Sequence, residues 1–158
     1  MISLMLLIGI LGLLFLMPFA TNRRFGVLGL ALTAGSLLSV NWTGTLTPFF
    51  EQQGVIIVAP PLGIIVATAL ILAPATILLF SGPSYHSTLQ RIVGSLAFTL
   101  LAMAFLIDPL KLALQLEGPG LALINTIDKY ASIIIVAGII GAVADILFTG
   151  RHKAKKEK

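Results

Sequence analysis

Residues 2–20 read ISLMLLIGILGLLFLMPFA and contain no charged side chain. A helix over these residues, at about 1.5 Å per residue, would match the roughly 30 Å hydrocarbon core of a bilayer. A cleaved secretory signal is the alternative, but such a signal carries its basic residues in front of a shorter apolar run. Here Arg23 and Arg24 follow the apolar run, so we expect a retained membrane-spanning helix.

The composition of the whole chain also indicates that lipid surrounds most of it. Of its 158 residues, 58% are hydrophobic and 10% are charged, and the mean hydropathy is +1.07. A soluble domain carries about 25% charged residues, so lipid must cover most of this surface. The net charge is +4, but half of the basic residues fall in the last eight positions, and we expect no nucleic-acid partner. The absence of cysteine excludes disulfides and thiolate chemistry.

Further apolar segments follow the first, and they predict an all-α, polytopic transmembrane bundle of about five spans. We expect a single transmembrane domain over residues 1–150, followed by a basic tail at 151–158. The predicted spans are 2–20, 25–40, 61–80, 92–107 and 131–148, and the predicted interfacial stretches are 41–54 and 109–130. A four-span arrangement, in which the third or fifth segment is re-entrant, is the alternative.

The third apolar segment is interrupted by proline. It contains Pro60, Pro61 and Pro74, and a proline removes a backbone donor and crowds the carbonyl one turn earlier. We expect the helix to start near Pro61, where proline is tolerated, and to kink or break near Pro74. A kink that fits neighbouring helices is the favoured interpretation. The alternative is that the break exposes carbonyls for an ion, as in transporters.

The basic residues predict an orientation. With five spans, eight bases fall on one side of the membrane and two, Lys111 and Lys129, on the other. Cytoplasmic loops carry an excess of lysine and arginine. We therefore expect the N-terminus outside and the C-terminus in the cytoplasm. The tail residues Arg151, Lys153, Lys155 and Lys156 either bind anionic lipid or only fix this topology.

Two short motifs carry a family resemblance. They are Arg24-Phe25-Gly26 with Leu28-Gly29, and residues 87–97, which read STLQRIVGSLA. Over residues 1–108 the chain resembles the colicin V production protein family of bacterial inner-membrane proteins. The first span lacks the acid that the family often has, Gln90 stands where it usually has an acid, and residues 110–158 have no obvious counterpart. The resemblance implies the bacterial inner membrane and a scaffold or accessory role in envelope or secretion processes.

Asp145 is the most informative single residue, because a carboxylate inside a predicted span is costly and is a functional candidate. It lies about one turn from the polar tail. The structural interpretation is a pair with Arg91 or Arg151, and the alternative is an ion or proton role. Small residues in the spans, among them Gly94, Gly138 and Gly141, predict faces where helices approach closely, either within one chain or between chains.

Nothing in the sequence forms a catalytic constellation. His86 and His152 are isolated and have no carboxylate cluster beside them, which argues against a metal site. Ser84, Ser87 and Thr88 lie near His86 without an acid or a nucleophile elbow. We expect no enzyme activity, no cofactor and no metal. The functional alternatives are a scaffold or accessory protein, a small oligomeric channel or transporter subunit, and a subunit of a larger membrane complex, with the lipid bilayer as partner in each case.

Overall fold

A computed structural model describes residues 2–55, 57, 59–81, 83–85, 87–114 and 118–154. Within these residues the chain forms five helices, each long and apolar enough to cross a membrane. They are α1 (Ile2–Thr21), α2 (Phe25–Gln52), α3 (Leu62–Ser81), α4 (Thr88–Leu114) and α5 (Pro119–Ala154). The predicted all-α bundle is confirmed. By helix length and hydropathy, the chain is a multi-pass membrane protein.

Neighbouring helices run antiparallel, so the turns alternate between the two ends of the bundle. The α1–α2 turn contacts the α3–α4 loop, and Gly26 at the start of α2 contacts Asp145 near the end of α5. We call this the arginine end, because Arg23, Arg24 and Arg91 lie there. The α2–α3 and α4–α5 connections lie at the opposite end. Helix α2 packs mainly on α3 and also on α5, whereas α4 packs on α1 and α5.

Helix α4 supplies most of the core. In the described span segments, 56% of α4 is buried, compared with 6% of α5. The core joins α4 to α1 and α2 through large aliphatic and aromatic side chains, namely Phe98, Leu101, Met103, Leu106, Leu28, Leu32, Leu7 and Leu14. Because lipid tails are as apolar as leucine, such an interface is stabilised by close packing rather than by removal from water.

Helices α2 and α3 approach along a row of small residues at four-residue spacing. Gly35, Ser39, Thr43 and Thr47 form this row. A Cβ atom on Gly35 would lie 2.2 Å from the carbonyl oxygen of Ile71, and Thr47 lies against Gly63 near the start of α3. A residue without a side chain is therefore required at the tightest point of the crossing.

Helix α3 begins at Leu62, directly after Pro60 and Pro61, but it does not break at Pro74. A complete break is absent for a reason visible in the packing, and the kink favoured from the sequence stays a prediction. Pro74 cannot donate to the carbonyl of Leu70, and Gly35 packs directly against the carbonyls of Leu70 and Ile71. The carbonyl oxygen of Leu70 is thus covered by α2 rather than by lipid. A proline is tolerated in a membrane span when a neighbouring helix covers the carbonyl in this way.

Three helices are longer than the predicted spans. Helix α2 continues through Pro48, α4 continues through Pro109, and α5 is helical from Pro119. The predicted interfacial stretches 41–54 and 109–130 therefore consist largely of the extended parts of these helices, and their place at the membrane interface stays a prediction. Around Pro109 the buried side chains of Ile107 and Leu110 keep α4 packed, so burial overrides the local preference to stop. An ion pair between Lys111 and Asp128 joins the extended parts of α4 and α5.

The α2–α3 crossing yields a stability prediction. Gly35→Leu should destabilise the protein by about 1–3 kcal/mol, because the new side chain meets backbone atoms of α3 that cannot rotate away. Gly44→Ala is the matched control, since nothing lies within 4 Å of a Cβ at that position of the same helix. Thermal unfolding in detergent measures both. Equal melting temperatures for the two variants would contradict the crossing.

Candidate functional site

The arginine end begins with two connections that pair through their backbones. The N–H of Arg24 donates to the carbonyl of Pro83 at 3.1 Å, and the N–H of Tyr85 donates to the carbonyl of Asn22 at 2.7 Å. Asn22 has a φ of 57°, in the left-handed region that asparagine enters more readily than most residues, and this lets the chain turn sharply between α1 and α2. The α1–α2 hairpin is thereby attached to the α3–α4 hairpin.

Two arginines bind the C-terminal ends of helices other than their own. Arg23 donates from Nε to the carbonyl of Leu79 at 2.7 Å and from Nη2 to the carbonyl of Phe80 at 2.9 Å, at the end of α3. Arg91 donates from Nη2 to the carbonyl of Phe19 at 2.9 Å, at the end of α1. The last carbonyls of a helix have no partner within it, and the partial negative charge there favours a cation.

Aromatic rings pack against the guanidinium groups of two arginines at this end, Arg91 and Arg24. Arg91 lies over the ring of Phe19 at 4.6 Å from its centroid, and Arg24 lies over the ring of Tyr85 at 5.5 Å. Arg24 also donates from Nε to the carbonyl of Ser84 at 3.3 Å. A cation over an aromatic face is stabilised most where water is excluded. The geometry therefore fixes both side chains in the loop region.

The N-terminal end of α2 is capped from elsewhere in the chain. Oδ2 of Asp145 accepts the N–H of Gly26 at 2.9 Å, and it also accepts the hydroxyl of Tyr85 at 3.2 Å. The hydroxyl oxygen of Tyr85 in turn accepts the N–H of Phe25 at 3.1 Å. Arg24, which occupies the N-cap position, makes no side-chain cap. A carboxylate here also matches the positive end of the helix dipole.

We call Arg23, Arg24, Tyr85, Arg91 and Asp145 the capping cluster. Both charged residues that the sequence identified as candidates, Asp145 and Arg91, belong to it. Arg91 binds the end of α1, so the expected pair between Asp145 and Arg91 is replaced by separate contacts with backbone. The side chain of Arg151 lies outside the described residues. The side chains of Lys153, Lys155 and Lys156 in the tail also lie outside the described residues, as do His86 and the side chain of His152. Lipid binding by the tail therefore stays a prediction.

The glycines singled out in the sequence lie at contacts between parts of the same chain. A Cβ on Gly94 would lie 2.7 Å from the ring of Tyr85, and one on Gly138 would lie 2.9 Å from a methyl group of Leu101. Gly141 faces the ring of Phe25 at 3.6 Å. Gly26, which the sequence placed among the small residues of the second span, has even less room, since a Cβ there would lie 2.6 Å from the carbonyl of Ala142.

Tyr85 is the member of the cluster that sequence reasoning missed. It lies in a short loop of turn-forming residues and has no motif of its own. Burial raises the pKa of its hydroxyl above the ordinary value of 10.0, and the nearby charge of Asp145 acts in the same direction. The hydroxyl therefore stays protonated and can donate to Asp145 at neutral pH. An aromatic residue six positions before Arg91 is the sequence signal that it offers.

The chemistry available at the cluster is hydrogen bonding to backbone. The part of the chain that the structure describes holds no group of three or more histidine, aspartate or glutamate side chains that could bind a metal. Two buried atoms near the α1–α2 turn and the start of α4, Oδ1 of Asn22 and Nε of Arg91, have no hydrogen-bond partner among the described residues. The cluster thus closes helix ends and fixes one loop against another.

No protein-family model matches the chain, and neither a curated protein nor a solved structure matches it. The resemblance to the colicin V production family is thus carried by the residues of the two motifs alone.

The raised pKa of Tyr85 predicts a pH dependence. A group whose pKa is higher in the folded state stabilises the fold fully below its unfolded pKa, and that contribution is lost as the pH rises through the folded value. In Tyr130→Phe, where Tyr85 is the remaining tyrosine, phenolate absorbance should develop above pH 10.0, and the melting temperature should fall over the same range. A midpoint at or below 10.0 would contradict the buried hydroxyl.

Proposed function

We propose that this chain is a non-enzymatic membrane protein with a scaffold or accessory role in bacterial envelope or secretion processes. This is the role that the resemblance to the colicin V production family implies. Such a protein acts by holding partners in the membrane, and it needs a rigid framework rather than a reactive group. The proposal includes the bacterial inner membrane as its location.

One observation carries the proposal: the two motifs that support the resemblance meet in space. Phe25 of the first motif donates its N–H to Tyr85, and Gly94 of the second motif packs against the ring of the same tyrosine. Arg24 and Arg91, one from each motif, both belong to the capping cluster. Segments about 60 residues apart therefore build a single structural unit, which is what a functional family motif would do.

The channel or transporter alternative receives less support from the same geometry. It was motivated by a carboxylate in a span and by a broken third helix. Asp145 binds the N-terminal end of α2, and α3 is continuous through Pro74, so both features have structural roles. The third possibility, a subunit of a larger membrane complex, is compatible with a scaffold and is tested by the same experiment.

Co-purification from native membranes tests the proposed role. The tagged chain, extracted in mild detergent, should retain defined envelope or secretion proteins. Gly94→Leu should lose them, because it displaces Tyr85 from the capping cluster, whereas Gly44→Ala should keep them. A chain that elutes alone after gentle extraction and after cross-linking in the membrane would refute the scaffold role. Ion flux by the purified chain in liposomes would favour the channel alternative instead.

The proposed orientation places the arginine end in the cytoplasm, in line with the positive-inside rule. Ser84 lies at that end and Gln53 at the opposite end, and both side chains are exposed. Because the chain has no cysteine, Ser84→Cys and Gln53→Cys provide single reactive sites. In intact spheroplasts a membrane-impermeant maleimide should label Gln53→Cys and should label Ser84→Cys only after permeabilisation. The reverse pattern would overturn the orientation.

A further inference from the structure

Helix α5 is the least enclosed helix of the bundle. Only 6% of its span segment is buried, and the next lowest value is 17%, for α1. The outward side chains of α5 are aliphatic and recur at intervals of three and four residues, namely Ile133, Val136, Ile140, Val143 and Leu147. In a membrane these side chains face lipid, which packs against them as well as another apolar side chain does. Its enclosed contacts include those with α4: Ile124 is fully buried in the core, and Gly138 packs against Leu101.

The contact between α5 and α2 is made by small residues. Ala142 packs against Gly26 and Gly29, and a Cβ on Gly29 would lie 3.1 Å from the Cβ of Ala142. Such a contact brings two backbones close together, and the larger side chains beside it, Phe25 of α2 and Ile146 of α5, face glycines of the opposite helix. Small surfaces of this kind permit sliding or separation unless a directional bond opposes them.

Among the described residues, directional side-chain bonds join α5 to other helices near each end of the bundle. At the opposite end Asp128 pairs with Lys111 of α4, and these side chains are 47% and 29% exposed. An exposed ion pair contributes little to stability. At the arginine end Asp145 accepts the N–H of Gly26 and the hydroxyl of Tyr85, and the surrounding residues partly shield it. Loss of an acceptor leaves a shielded amide unsatisfied, which is the costlier of the two changes.

We propose that the C-terminal half of α5 is the movable part of this bundle and that Asp145 is the latch that holds this half against α2. The latch is coupled to the loop at the arginine end. Tyr85 gives its hydroxyl proton to Asp145 and accepts the N–H of Phe25 with the same oxygen. Release of α5 therefore changes the cap of α2 and the contacts of the 83–85 segment together. This inference does not depend on the proposed scaffold role.

Distances between spin labels test the latch. The chain has no cysteine, and Ile77 on α3 and Ile140 on α5 are exposed, so each can be replaced by a labelled cysteine without disturbing the core. In lipid nanodiscs, Asp145→Ala should broaden the distribution of distances between labels 77 and 140 about twofold, as expected for local opening. Asp145→Asn should stay close to wild type, since its side-chain oxygen still accepts the N–H of Gly26.

Two controls separate a latch from general loosening. Asp128→Ala removes an acid from the same helix at its other polar contact, and it should leave the distance between labels 77 and 140 narrow. A second label pair, Ile8 on α1 and Ile77 on α3, should keep its distribution in every variant. An unchanged 77–140 distance in Asp145→Ala would overturn the proposal. So would equal broadening in Asp128→Ala, or broadening of the 8–77 distance to the same extent.

Discussion

The structure depends on how the backbone is satisfied at the ends of its helices. A helix leaves its first four N–H groups and its last four carbonyls without partners, and a group without a partner is costly wherever lipid replaces water. At the arginine end, distant residues provide partners for three helix ends: Arg91 for the end of α1, Arg23 for the end of α3, and Asp145 with Tyr85 for the start of α2. The charged side chains of Arg23, Arg91 and Asp145, which are unusual in so apolar a chain, thus bind backbone groups.

Close helix packing makes those contacts possible. Helix α2 lies between α3 and α5, and it presents glycine to each of them. Gly35 lets α3 approach until its carbonyls touch α2, and Gly26 lets α5 bring Asp145 within bonding distance of a backbone amide. A side chain at either position would push the neighbouring helix outward. Helix packing and helix capping therefore depend on each other in this bundle. The close approach of α5 that Gly26 permits is the approach that the hydrogen bond from Gly26 to Asp145 requires.

The sequence predicted the helices better than it predicted their ends. Long apolar runs identify spans because a helix must match the thickness of the bilayer, and this signal is local. Helices α2 and α4 extend past the predicted span ends at 40 and 107, and at Leu110 burial outweighs the local preference to stop. Asp145 and Arg91 could be identified by charge. Their partners could not, since a backbone amide or carbonyl carries no sequence signal, and Tyr85 gains its role only when two loops meet.

The cap on α2 has a consequence for biogenesis. Gly26 and Asp145 are separated by 119 positions along the chain, so the amide of Gly26 emerges from the ribosome long before its acceptor is synthesised. Tyr85, which binds Phe25, also follows by 60 positions. Until these partners are made, water or lipid headgroups have to satisfy the first N–H groups of α2. The first turn of α2 can therefore take its final cap only after the part of α5 that carries Asp145 has been synthesised.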